Sequence, residues 1–234
     1  MPVGIVTGAS RGLGLALARS LAADGWSLVI DARRAEALEE ARSDLAARGG
    51  TVVAVQGDVA DADHRLALVR AARDLGGPDL LVNNASELGP SPLPALADYP
   101  LDELERVLRV NVLAPLALAQ LALPPLRARR GRIVNVSSDA AVEAYQGWGG
   151  YGSSKAALEQ LTAVLAAEER EVRVYVVDPG DMRTAMHQAA FPGEDISDRP
   201  PPEAAVPGLR RLIDGDEPSG RYRAGELAPV EATS

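Results

Sequence analysis

Short runs of consecutive Val, Leu and Ile recur along the chain at residues 2–7, 26–31, 51–57, 79–82, 132–137 and 172–177. Each is apolar at neighbouring positions rather than alternate ones, the pattern of a strand covered on both faces of a parallel sheet. Between them lie segments of helical periodicity, at about 12–23, 35–48, 62–74, 101–127 and 150–169, many of them rich in Ala, Leu, Glu and Arg. Gly25, Gly49-Gly50 and Gly76-Gly77 stand where helices should stop. Strand and helix in alternation means βαβ units, and the pattern predicts an α/β fold: a Rossmann-like doubly wound parallel sheet of about seven strands with helices on both faces. No solenoid-length repeat, charge block or Gly/Ser linker divides the 234 residues, so 1–234 is expected to form a single domain. The Pro-rich stretch from Phe191 to Pro207 is the one long irregular segment, and 181–207 is the expected substrate loop. The tail, 225–234, carries no strong pattern and is expected to fray.

Composition narrows the function. A formal charge of −9 argues against a nucleic-acid partner, because such proteins draw affinity from a basic footprint. Without cysteine there is no disulfide framework, thiol nucleophile or thiolate metal site. His64 and His187 have no partners at ligand spacing; both are expected at the surface, and no metal is expected. The longest apolar stretch, Val112 to Leu126, contains Gln120 and is interrupted by Pro115, Pro124 and Pro125, which predicts a segment too short and broken to span a bilayer. The first residues lack the features of a secretory leader, and a cytoplasmic location is the expectation.

The first strand runs directly into Thr7-Gly8-Ala9-Ser10-Arg11-Gly12-Leu13-Gly14 and then into an Ala/Leu helix. This is the strand-turn-helix setting of a phosphate-binding loop: Gly8 for the tight turn, Gly12 for backbone approach to a pyrophosphate, Gly14 for close packing of helix on strand. Further along, Tyr151 and Lys155 share a helix face at i, i+4, where an ammonium can stabilise a phenolate. Ser138 lies thirteen residues before Tyr151, at the end of a buried strand where such sheets hold ligands. Asn111 sits inside a long helix with Pro115 four residues on; Pro115 lacks the N–H that the Asn111 carbonyl would bond, so the helix should kink there.

The spacing Thr-Gly-x-x-x-Gly-x-Gly, with Tyr-x-x-x-Lys and the upstream serine, resembles the short-chain dehydrogenase/reductase pattern, and the resemblance extends across nearly the whole chain. It implies an oxidoreductase that moves a hydride between a nicotinamide cofactor and a small carbonyl or alcohol substrate. In that family the tyrosine transfers the proton, the serine polarises the carbonyl, and an asparagine holds a water linking the lysine to solvent. Carried onto this chain, the catalytic set is Ser138, Tyr151, Lys155 and Asn111, with Ser137 as the alternative serine. The implied cofactor contacts are Gly8, Ser10, Arg11, Gly12, Leu13, Gly14, Asp58, Val59, Asn84, Ala85, Tyr151, Lys155, Pro179, Gly180 and Thr184, the last also a plausible helix cap. Asn83-Asn84-Ala85 resembles the family's Asn-Asn-Ala-Gly turn, with Ser86 in place of the glycine that would take positive φ most freely.

Cofactor choice turns on the end of the second strand, Ile30-Asp31-Ala32-Arg33-Arg34. Eighteen residues past Gly14 falls Ala32, with Arg33 next, which favours NADP(H), Arg33 and Arg11 meeting a 2′-phosphate. A register shift of one would put Asp31 on the ribose and favour NAD(H). Leu88, Tyr145, Trp148, Met182, Met186 and Phe191 come from loops at the same edge and are expected to line an apolar cleft. A nucleotide-sensing regulator with weak turnover on the same fold is the alternative function. The helices at 101–127 and 150–169 resemble those that pair across subunits in the family, implying a homo-oligomer, a tetramer or a dimer.

Overall fold

The computed structural model describes residues 1–227; the rest of the expected tail, 228–234, lies outside the described residues. Seven parallel strands form one sheet: β1 (Val3–Val6), β2 (Ser27–Ala32), β3 (Val52–Gln56), β4 (Leu80–Asn83), β5 (Arg132–Val136), β6 (Arg173–Asp178) and β7 (Gly220–Arg223). They lie in the order β3-β2-β1-β4-β5-β6-β7. Among the described residues eight α-helices accompany them: α1 (Gly12–Ala23), α2 (Ala35–Ala46), α3 (Ala62–Asp74), α4 (Leu101–Leu108), α5 (Ala114–Arg129), α6 (Gly149–Glu168), α7 (Ala185–Ala190) and α8 (Val206–Asp214). The doubly wound α/β architecture read from the sequence is the one observed.

The unbroken apolar runs are explained by the register. Ile5, Val29, Leu81 and Ile133 point to one face, onto Leu68 of α3 and Leu118 and Leu126 of α5. Their successors Val6, Ile30, Val82 and Val134 point to the other, onto Leu17 and Leu21 of α1 and Leu209 of α8. With period two and both faces buried, every position must be apolar. The connection from β3 to β4 crosses back over β2 and β1, so the loops after β1 and β4 diverge and leave a crevice at the strand C-termini.

Three expectations are corrected. The 101–127 segment is one continuous helical run to Arg129, in which α4 and α5 are joined by a π-turn over Arg109–Leu113. The missing N–H of Pro115 falls just after this wide turn, which stands where a kink was expected at Asn111. Pro124 and Pro125, however, lie within α5 without ending it, so the run is long and apolar enough by length and composition to cross a membrane. Over half of that apolar window is buried in the protein, with Leu118, Ala122 and Leu126 on the sheet, as befits a core helix. His64 is buried rather than exposed, and the His187 side chain is only 10% exposed. The irregular stretch from Phe191 is shorter than expected, because a 3-10 turn at Pro202–Ala205 leads into α8 at Val206, and α7 lies within the expected 181–207 loop.

Candidate active site

The glycine loop is held by side chains as well as by its own turns. Gly8 has φ of +65°, and a Cβ there would stand 2.9 Å from Ala85 Cα. Gly14 touches the loop's back: a Cβ would come within 2.6 Å of the Gly8 carbonyl, so only glycine lets α1 begin this close to β1. Thr7 Oγ1 accepts from the backbone N–H groups of Asn84 and Ala85, each at 3.0 Å, and Asn84 Nδ2 donates back to the Thr7 carbonyl at 2.8 Å. The side chain of Asn84 therefore locks the loop after β4 to the loop after β1. Ser86 takes this turn without strain: among the described residues only Arg130 is a non-glycine with positive φ.

Asp31 settles into an unexpected place. Its carboxylate is buried at the end of β2, where Oδ1 accepts from Gly8 N at 2.6 Å and Oδ2 lies 2.9 Å from His64 Nε2. Both oxygens are thus engaged beneath the glycine loop. Arg33 lies outside, half exposed, with Nη1 3.0 Å from Glu87 Oε2. The partner of His64 could not be read from the sequence and Glu87 was not singled out there, because the residues they meet are 33 and 54 positions away.

The catalytic candidates converge from β5 and α6. Gly152 lets α6 approach the turn that follows β5, since a Cβ would meet the Ala140 carbonyl at 2.6 Å. Tyr151 and Lys155 are both buried, the Lys155 Nζ lying 5.4 Å from the Tyr151 ring centroid and donating to the Val136 carbonyl at 2.9 Å. Burial pushes the phenol of Tyr151 well up, opposed by the hydroxyl of Ser86, while Asp139 and Asp178 push the same way as burial. Burial also depresses the Lys155 ammonium, to about 8, against the pull of Glu159. The expected lowering of Tyr151 by Lys155 is therefore not a feature of the protein alone.

Ser137 is turned to Glu159, its hydroxyl donating at 2.6 Å, which leaves Ser138 as the serine free of the core. Ser138 Oγ donates to Asp139 Oδ1 at 2.9 Å and accepts from Ala140 N at 3.2 Å. Asn111, in the π-turn, is buried and its amide is saturated: Oδ1 accepts from Ser86 Oγ and Glu87 N, and Nδ2 donates to the Glu87 carbonyl and Ser154 Oγ. Its side chain is a brace between the loop after β4 and α6, and does not reach Lys155.

One cavity of about 780 Å³ collects these groups. Of the expected cofactor contacts every one but Gly14 lines it, as do Ser138, Tyr151 and Lys155; Asn111 does not. All six expected apolar cleft residues line it too, and Trp148 packs edge-on to Tyr151 with ring centroids 5.7 Å apart. Thr184 caps α7, accepting from His187 N at 3.2 Å, and still faces the cavity. Asp139, Glu87 and His187 line it without having been anticipated. Among the described residues no group of three His, Cys, Asp or Glu side chains is placed to hold a metal ion.

Comparison with known proteins places this arrangement. A family model described as short chain dehydrogenase matches residues 2–195. A human protein, dehydrogenase/reductase SDR family member 2, mitochondrial, is 37% identical over 198 residues, covering 83% of this chain and 70% of its own. L-xylo-3-hexulose reductase of Hypocrea jecorina is 38% identical over 243 residues, covering 95% of this chain and 79% of its own. Among solved structures, a short chain dehydrogenase from Pseudomonas syringae superposes with a TM-score of 0.88 at 31% identity, covering 95% of this chain and 94% of that one. An alcohol dehydrogenase from Thermococcus sibiricus, complexed with 5-hydroxy-NADP, superposes at 0.86 with 27% identity, over 100% and 99%. The chain belongs to the short-chain dehydrogenase/reductase family of oxidoreductases.

Proposed function

We propose that the protein is an NADP(H)-dependent oxidoreductase that interconverts a carbonyl and a secondary alcohol, with Tyr151 as acid/base. The observation that carries the reading is the single cavity lined by the glycine loop, Tyr151, Lys155 and Ser138. Gly8 and Gly12, both with positive φ, leave the backbone bare where a pyrophosphate would rest, and the residues fit a dinucleotide. A bound nicotinamide supplies or takes up the hydride. Tyr151 gives its proton to the nascent alkoxide in reduction, and the raised phenol pKa keeps that proton in place at neutral pH. Lys155 brings positive charge near the phenol as it ionises.

Three features favour NADP(H) over NAD(H). Asp31 is committed to Gly8 and His64, Ala32 lines the cavity at the position counted for a ribose-binding acid, and Arg11, Arg33 and Arg34 line it as well. Structural neighbours include both an enzyme with an NADP derivative and an NAD+-bound xylitol dehydrogenase, so the fold alone does not choose. The test is absorbance at 340 nm with NADPH over a panel of aldehydes and ketones, alongside Tyr151→Phe. Turnover lost in the variant supports the reading; a variant as fast as wild type, or no turnover of any carbonyl, overturns it.

Exposed Leu101, Leu113 and Val164 on α4, the π-turn and α6 support assembly through these helices. A tetramer is our first choice and a dimer the second; light scattering that found a monomer at micromolar concentration would remove both.

A further inference from the structure

Ser138 and Asp139 together narrow the substrate. A hydroxyl has one hydrogen, and that of Ser138 is given to Asp139 Oδ1 at 2.9 Å. As it stands Ser138 cannot also donate to a carbonyl oxygen. On Oδ1 Asp139 has one further donor, Ala140 N at 2.8 Å, and loses its side-chain donor whenever Ser138 turns away. Its Oδ2 shares the single Tyr145 phenolic hydrogen with Glu143 Oε2, at 3.1 and 2.8 Å, so one proton serves two carboxylates. Glu143 has Arg223 at 3.8 Å, whereas Asp139 has no cation within 4 Å among the described residues. On the opposite arm, His187 lines the same cavity; its side chain is one-tenth exposed, and Nε2 has no hydrogen-bond partner among the described residues.

Resting on the oxidoreductase reading, we propose that the substrate pair is an α-hydroxy carbonyl and its vicinal diol, the neighbouring hydroxyl donating to Asp139. Oxygens on adjacent carbons in a gauche arrangement sit about 3 Å apart, close to an O–H···O length. The 2.9 Å between Ser138 Oγ and Asp139 Oδ1 matches that spacing, so one oxygen meets each residue. The substrate hydroxyl then replaces Ser138 as donor to Asp139, and the Ser138 hydrogen is released to the carbonyl oxygen. In reduction the hydride from the nicotinamide forms the C–H bond, the carbonyl π pair moves to oxygen, and that oxygen takes the Tyr151 proton, which solvent restores. A ketone without the hydroxyl leaves Asp139 Oδ1 with the Ala140 N–H alone whenever Ser138 turns to the carbonyl. Sites built for a substrate hydroxyl reject analogues lacking it. His187 Nε2 is placed to meet a further polar group on the same ligand.

The experiment compares kcat/KM with NADPH for 3-hydroxy-2-butanone, 3-methoxy-2-butanone and 2-butanone, in wild type, Asp139→Asn and Asp139→Ala. Wild type is expected to prefer the free hydroxyl by about 10- to 100-fold over either analogue, as for a hydrogen bond to a charged group. In Asp139→Ala the ratio falls to about twofold, and in Asp139→Asn, whose amide oxygen still accepts, it falls part of the way. Quenching of Trp148 by 2,3-butanediol in the presence of NADP+ should weaken in parallel. NADPH binding reports that each variant is folded, and the substrate ratio needs no assumption about absolute rate. A wild-type ratio near one, or a ratio unchanged in Asp139→Ala, overturns the inference while leaving the oxidoreductase intact. No turnover of any of the three ketones by wild type, with diol quenching absent, overturns the inference, and the oxidoreductase reading falls with it only where the wider carbonyl panel is inert as well.

Discussion

Removing Arg33 should weaken NADPH far more than NADH, by an amount the geometry bounds. A charge-assisted hydrogen bond from a guanidinium to phosphate contributes about 1.5–3 kcal/mol. The Arg33 side chain is 52% exposed, which places it at the low end of that range. In the free protein Arg33 also pairs with Glu87 at 3.0 Å, an exposed contact of about 0–1 kcal/mol that must be loosened or shared. The net is about 0.5–2 kcal/mol, so Arg33→Ala should raise the Kd for NADPH by about 2- to 30-fold and change that for NADH by less than about twofold. Glu87→Gln frees Arg33 and removes a like charge, so it should tighten NADPH by up to about fivefold. In an Arg33→Ala background the same change should give no more than about twofold, because the competitor for Arg33 no longer matters. Fluorescence titration of the four proteins with both nucleotides measures the cycle at one ionic strength. An unchanged NADPH/NADH ratio in Arg33→Ala would refute the reasoning and return the specificity to another residue.

Other substitutions test the scaffold. His64→Leu leaves Asp31 buried with only Gly8 N on its carboxylate; a loss of about 2–4 kcal/mol is expected on thermal unfolding, with both nucleotides weakened alike. An unchanged melting temperature would mean that the pair holds nothing. Lys155→Met should abolish turnover yet stabilise the protein at pH 7. Burial holds the ammonium at about 8 rather than 10.5, so the folded chain binds fewer protons than the unfolded one between those values. Wild-type stability therefore rises with pH across that window, and below it the full cost, on the order of 3 kcal/mol, is present. Loss of the Val136 contact offsets about 1 kcal/mol, leaving the variant ahead by about 1–2 kcal/mol at pH 7 and not at pH 10. Melting curves at the two pH values decide it. Asn111→Ala removes all four amide contacts and should cost about 2–4 kcal/mol, a fall in Tm of roughly 5–12 °C. A Tm within a degree of wild type would show that the brace is not needed.

What could be read in the sequence followed from local rules. The inner strands announce themselves because both faces are buried, and the glycine loop and Tyr151/Lys155 pair because their spacing is short-range. Gly220-Arg221-Tyr222-Arg223 was not read as β7: it lies at the sheet edge, where two arginines alternate outward. The helix after it in difficulty, α8, is nine residues long with Pro207 near its start and two arginines inside. The histidines were misplaced for a different reason. Nothing near His64 in sequence explains its burial, because Asp31 comes to it only when β2 and α3 are packed together. Likewise the competition for the Ser138 hydrogen is a matter of rotamers that no spacing rule encodes.

The π-turn at Arg109–Leu113 fixes a helical phase. In an ordinary α-helix each residue advances the direction of its neighbours by about 100°. One residue fewer in this turn would close it to regular α-helix, and α4 would rotate by about that angle relative to α5, carrying its apolar face from one side of the molecule toward another. Asn111 would swing out of the gap between the loop after β4 and α6. The 101–129 tract thus specifies a residue count as strictly as it specifies side chains, and a single deletion there should do more damage than most substitutions. Its wide turn behaves as a spacer of set length, tuning the angle at which the exposed helix surface is presented while the inner half stays keyed to the sheet.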